Sequence, residues 1–216
     1  MAATFSATML LLATSCITQI QQYERSVSGV IPAFAATGIV FASLQLSLTR
    51  DSHIGKAAAS AYAISPSHRW ASKYPIIVNI TMIGTNTLML FAQIGHGVTV
   101  NQPTTYAALA AWISAFAVVR LKMGGFRSPR ARLYSSLGIR MIPQLMQGIS
   151  FAVVGAQGFS VVSLGLLLTQ VFMKLLLSYP ARRDDAFARA AYLVAAWDFA
   201  AIVYIAACWT LGCTTA

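Results

Sequence analysis

Seven apolar stretches, joined by loops that alternate between strongly basic and nearly uncharged, constrain this chain more than any other feature. The stretches run over Ala3–Gln19, Val27–Leu48, Pro75–Gly95, Pro103–Val119, Tyr134–Ala156, Phe159–Tyr179 and Phe187–Leu211. Each is about long enough to cross a hydrocarbon core at 1.5 Å per residue. Lipid offers the backbone no partners, so segments of this length must be helices. The loop 49–74 carries Arg50, Lys56, Arg69 and Lys73, the loop 120–140 carries Arg120, Lys122, Arg127, Arg130, Arg132 and Arg140, and the loop 180–189 adds Arg182, Arg183 and Arg189. The intervening connections 97–102 and 156–158 hold no Lys or Arg. Cationic loops stay on the side from which the chain is inserted. The expectation is therefore an all-α polytopic membrane protein, one domain over residues 1–216, with seven crossings, N-terminus inside and C-terminus outside.

Composition agrees. Hydrophobic residues make up 57% and charged residues 9% of 216 positions, a balance foreign to ordinary soluble domains. The net charge of +10 lies in the loops of one face. There Arg127, Arg130, Arg132, Arg182 and Arg183 are candidate contacts for anionic lipid head groups, so nucleic acid is not an expected partner. The first stretch lacks the positive flank and small-residue cleavage site of a signal peptide and reads as a retained helix. Cys16, Cys208 and Cys213 show no metal spacing, and a 208–213 disulfide is not expected. His53, His68 and His96 fall in loops or at a helix end, which argues against a bis-histidine haem pair. No catalytic triad, carboxylate pair or phosphate loop is present, so the chain has no expected active site of its own. An Ala-rich run at 57–59 suggests a short surface helix.

Polar residues inside the stretches are the candidate functional ones. Asp198 stands near the middle of the last stretch, where a charge is costly and must find a partner or a proton. It reads either as a proton-linked site or as a packing residue. Ser163, Gln170 and Lys174 share one face of the sixth stretch, with Lys174 close enough to the inside end to snorkel. Asn79 and Asn86 share a face of the third, where interhelical hydrogen bonds are the default. Small residues at Gly148, Ala152 and Ala156, and at Ala191 and Ala195, mark close helix contacts.

Two family resemblances follow from particular residues. Pro143-Gln144, with Gly158-Phe159-Ser160 and Ser163 after it, resembles the repeat of PQ-loop and SWEET transporters; a first copy is claimed at Ile31-Pro32, since 31–42 echoes 142–152. The second resemblance covers more of the chain. Thr49-Arg50-Asp51 closing the second stretch, Gly148-Ile149-Ser150-Phe151 in the fifth, and Phe187, Ala190-Ala191, Asp198, Trp209 and Gly212 in the last resemble cytochrome c oxidase subunit III. That family's membrane Glu is Asn86 here, the Glu after its fifth helix is lost at Gln157-Gly158, and a His-Phe before the Asp is Ala195-Ala196. A shorter likeness, Ser136-Leu137-Gly138-Ile139-Arg140, resembles the arginine helix of ATP synthase subunit a.

The subunit III resemblance implies a non-catalytic subunit of a respiratory haem–copper oxidase in a mitochondrial, or alternatively bacterial, inner membrane. Such a subunit binds no haem or metal, packs on the catalytic subunit, supports assembly and proton uptake, and holds structural phospholipid such as cardiolipin. Arg50 and Asp51 would form a pair at the inside surface. The PQ-loop resemblance implies instead a small-solute transporter with Pro143, Gln144 and Asp198 at its site. A lineage-specific accessory subunit of a membrane complex is the third expectation.

Overall fold

The computed structural model describes residues 2–49, 74–99, 102–123, 128–183 and 186–214. Seven α-helices follow one another: α1 (Ala2–Tyr23), α2 (Pro32–Thr49), α3 (Tyr74–Gly95), α4 (Pro103–Lys122), α5 (Pro129–Val154), α6 (Val161–Ser178) and α7 (Ala186–Thr214). A 3-10 turn over Pro180–Arg183 precedes α7, and no strand occurs among the described residues. Ile76–Gly95, Pro103–Lys122, Leu133–Val154 and Arg189–Thr214 are long and apolar enough to cross a membrane. The chain is an all-helical integral membrane protein. Pro32–Leu46 and Val161–Leu176 are shorter apolar runs. The 22 residues of α1 include Ser15 and Gln19, which bond α6 and the connection before it.

Helix boundaries follow local chemistry. Proline opens α2, α4 and α5, positions where its missing N–H would have no helical partner anyway. Ser128 caps α5 by accepting from the Ala131 N–H at 3.0 Å, and Ser160 caps α6 by accepting from the Ser163 N–H at 3.3 Å. These signals correct the expected boundaries. The second helix starts at Pro32 rather than Val27, because Gly29 turns the chain at φ 77°. The loop expected over 120–140 shrinks to the residues between Lys122 and Pro129. Arg140 consequently lies inside α5, not in a basic loop. The Ala-rich run at 57–59, His53, His68, Arg50, Asp51, Arg127 and the side chain of Arg132 lie outside the described residues.

Six helices close a ring. α1 packs on α3, α3 on α2, α2 on α5, α5 on α7, α7 on α6, and α6 back on α1. α4 stands outside, against α5 and more lightly α2. The pattern is that of two three-helix units, α1–α3 and α5–α7, in each of which the third helix touches both others. Gln19 near the end of α1 reaches Gly158, and Gln147 near the end of α5 reaches Gly29. Gln93 at the end of α3 meets Tyr23, and Gly212 at the end of α7 meets Phe151. α1 therefore runs parallel to α5, α2 to α6 and α3 to α7. The residues of the claimed echo, 31–42 and 142–152, fall at the start of α2 and within α5.

Close approach explains the small residues. A side chain at Gly148 would meet the Tyr204 ring, and one at Gly212 the Phe151 carbonyl, so α5 and α7 touch nearly backbone to backbone. Phe151, Phe159 and Ile205 fill the space around that seam. The three cysteines are free thiols.

Pro143 sits inside α5 without breaking it. Proline removes the N–H that would bond the carbonyl four residues earlier, here that of Ile139. The indole N–H of Trp112 in α4 donates to that carbonyl at 2.9 Å. A neighbouring helix thus restores what the proline took, which is how lipid-embedded helices tolerate proline. Trp112→Phe should lower stability by about 1–3 kcal/mol, the cost of leaving a buried carbonyl unpaired. In a Pro143→Ala background, where residue 143 regains its N–H, the same change should cost less; thermal unfolding in detergent measures both.

Candidate functional site

The ring encloses a cavity of about 170 Å³, walled by all six of its helices. Helical spacing puts the polar residues there. Ser136, Arg140 and Gln144 recur every four residues on one face of α5. Ser163, Gln170, Lys174 and Ser178, seven and then four residues apart, share one face of α6, and Ser15, Gln19 and Tyr23 recur every four residues on α1. α2 adds Thr37, Phe41 and Gln45; α3 adds Asn79, Asn86 and Gln93; α7 adds Asp198.

Asp198 is the centre of the charged part of this wall, at 1% exposure. Its Oδ2 accepts from Arg140 Nη1 at 2.7 Å and from Lys174 Nζ at 3.0 Å. Phe41 of α2 lies beneath both cations, its ring centre 4.6 Å from the Arg140 guanidinium and 5.9 Å from Lys174 Nζ. Such faces attract desolvated cations. Lys174 therefore does not snorkel to the helix end, as expected from its position; a buried carboxylate in reach holds it across the cavity wall. The cluster joins α5, α6 and α7, all in the second unit.

A second set of contacts joins the two units. Gln19 of α1 donates to the Gly158 carbonyl at 2.8 Å and accepts from the Ser160 N–H at 3.1 Å. Gln147 of α5 donates to the Gly29 carbonyl at 2.8 Å and accepts from the Ile31 N–H at 3.2 Å. Each unit's first helix thus clamps the other unit's first connection, and both glutamines are fully buried. The two connections also meet directly, with the Gly158 N–H donating to the Ser28 carbonyl at 2.9 Å. Glycine is required there: a side chain at Gly29 would strike Gly155, and one at Gly158 would strike residues 27 and 28. Midway along the ring, the Ser15 and Ser163 hydroxyls bond at 2.8 Å.

The remaining expected residues divide. Gln144 is buried and accepts from the Trp197 indole N–H at 3.1 Å, so Pro143-Gln144 does sit beside Asp198 in the packing. Ser163, Gln170, Lys174, Asn79 and Asn86 all face the cavity. Among the described residues Asn86 bonds its own helix rather than a neighbour: it donates to the Met82 carbonyl at 2.8 Å and packs over Gly38, where α2 has no room for a side chain. Arg130 and Arg183 are exposed, while Arg182 donates to the Tyr179 carbonyl and stacks on its ring. Arg140, Gln19 and Gln147 escaped the sequence reading. Their signal was the i, i+4 polar stripe, hidden in α5 by counting Arg140 with the loop cations.

Five buried polar atoms have no partner among the described residues, and four of them, Thr37 Oγ1, Gln93 Oε1, Arg140 Nε and Asp198 Oδ1, belong to residues lining the cavity. Native structures rarely leave such groups unpaired. Their concentration in one place, with room for several waters or a small solute, marks a polar chamber. No group of His, Cys, Asp or Glu among the described residues could hold a metal ion. No protein-family model, curated protein or solved structure matches the chain.

Asp198→Ala leaves two partly buried cations without their acceptor and should destabilise the protein by about 1–3 kcal/mol, less than for a fully buried pair. Replacing the whole cluster, as Arg140→Met with Lys174→Met and Asp198→Leu, should recover most of that loss, because a buried ion cluster is seldom better than apolar packing. Recovery in a thermal melt would assign the charges to function rather than to fold; continued instability would make them structural.

Proposed function

We propose that this chain is a membrane transporter for a small solute, which binds in the chamber between two three-helix units. The carrying observation is the reciprocal pair of glutamine clamps. Contacts made twice, once from each unit, are those of a repeat-built carrier in which the units rock about a central site. The ion cluster lies within the second unit and would survive such a motion. The clamps, the Gly158–Ser28 bond and the Ser15–Ser163 pair cross between units and would have to break. Opening at the end sealed by residues 24–31 and 155–160 thus has a defined energetic cost, and solute contacts would offset it.

The topology that accompanies this reading has seven crossings with the N-terminus inside. It is supported by charge: Arg120 and Lys122 end α4, Arg130 follows at the start of α5, and Arg182 and Arg183 lie in the turn after α6. Cations gathered at one end of a bundle favour the inside.

A second reading, a subunit III-like component of a haem–copper oxidase, rests on the Asp198-to-Gly212 spacing. Both residues have reasons within this chain, the first as acceptor for two cations and the second as room for the Phe151 carbonyl. The transporter reading is therefore preferred over it and over that of an accessory subunit.

The test is reconstitution of the full chain in proteoliposomes with a panel of labelled neutral, cationic and anionic solutes. Uptake above empty vesicles is expected. In a background with Cys16, Cys208 and Cys213 replaced by Ala, Ser15→Cys with Ser163→Cys should block uptake on oxidation and restore it on reduction. Absence of uptake, with migration beside haem-containing subunits on a native gel of the source membrane, would replace this reading by the oxidase one.

A further inference from the structure

The chamber's charges do not balance. Among the described residues of its wall, Arg140 and Lys174 are cations and Asp198 is the sole acid. One carboxylate oxygen serves both cations, leaving one positive charge in excess beside hydrocarbon-facing helices. Excess charge in a low-dielectric site is expensive, and the Phe41 face relieves it only in part. Donors remain to be used as well. Arg140 Nε is buried with no partner among the described residues, and an ammonium carries three protons, of which Lys174 commits one to Asp198.

Resting on the transporter reading, we infer that the chamber selects a small, singly charged carboxylate. Its two oxygens would accept from the free edge of the Arg140 guanidinium and from Lys174, a geometry that suits planar anions. A single negative charge cancels the excess; a dianion would reverse it. Phe41, Phe159, Leu167 and Val171 on the same wall suit a short carbon skeleton rather than a hydrated inorganic ion. Asp198 Oδ1, an acceptor with no donor, suits a ligand hydroxyl. The inference concerns charge, so it predicts a sign that a merely structural cluster would not. Lys174→Gln removes the excess and should weaken anion binding. Asp198→Asn doubles it and should tighten anion binding, although it removes the most buried charge among the described residues.

Equilibrium binding to the purified full chain in nanodiscs tests this without requiring transport. The probes are L-lactate, its neutral counterpart lactamide, chloride and phosphate, read by thermal shift and by displacement of labelled lactate. Lactate should bind at least tenfold more tightly than lactamide, chloride or phosphate. Lys174→Gln should lose at least tenfold in lactate affinity, and Asp198→Asn should gain several-fold. If Asp198→Asn does not fold, Asp198→Asn with Lys174→Gln restores a single excess charge and should bind lactate within a few-fold of the parent. Chloride or phosphate binding as well as lactate would overturn the carboxylate assignment in favour of an inorganic anion. Lactamide binding as well as lactate would overturn the charge argument while leaving a solute carrier standing. Lactate binding without any vesicle uptake would keep this site and discard transport. No binding by any probe would overturn the inference.

Discussion

Gln19 and Gln147 hold the ring shut, and the rest of the architecture is arranged around what they bond. Each is buried, and each satisfies a carbonyl and an N–H in a non-helical connection of the other unit. Packed away from water, such backbone groups are costly to leave unpaired, so an irregular connection that is buried needs protein to supply its partners. The clamps let residues 24–31 and 155–160 sit against one another instead of splaying, and glycine at 29 and 158 removes the side chains that would keep them apart, while Gly155 turns the chain at φ 101°. Pro143 and Trp112 show the same constraint on a smaller scale, with α4 held to the ring partly by repairing a carbonyl that proline exposed.

The constraint is relaxed in one place. The chamber keeps polar atoms of Thr37, Gln93, Arg140 and Asp198 without partners among the described residues, and outside it only Thr105 Oγ1 is left so. A cluster built only for packing would use both oxygens of its carboxylate, because unsatisfied buried groups cost free energy and a half-used network is worse than none. The ion cluster stays within one unit while the clamps span both. In the proposed transporter this separates charge from mobility: the solute would meet a fixed wall, and the units would move along a seam of neutral hydrogen bonds that can break without stranding an ion.

Much of the fold was legible in the sequence because it depends on local properties. Apolar length gave seven helices, and the Ser-Pro pair at 128 and 129 marks the start of α5 once read as a cap followed by a first-turn proline. Reading Arg140 as one more loop cation was an error of the same local kind, since its spacing to Ser136 and Gln144 places it on their face. Asn86 and Lys174 failed differently. The sequence places Asn86 on one helix face with Asn79, and Lys174 on one with Ser163 and Gln170, but whether a polar side chain bonds a neighbouring helix, its own backbone or an ion depends on what stands opposite.

By itself, then, the sequence determined that the chain is helical, that it belongs in a membrane, where most helices begin and end, and that Asp198 needs company. Periodicity, hydropathy and capping are properties of neighbouring residues, and neighbours are what a sequence displays. Only the tertiary structure decided that α1 answers α5 and that the ring closes through α1 and α6. It alone brought Arg140 to Asp198 across 58 residues of chain and Lys174 across 24. Those pairings arise from helices packing face to face, where the free energy of one contact depends on the positions of all the others.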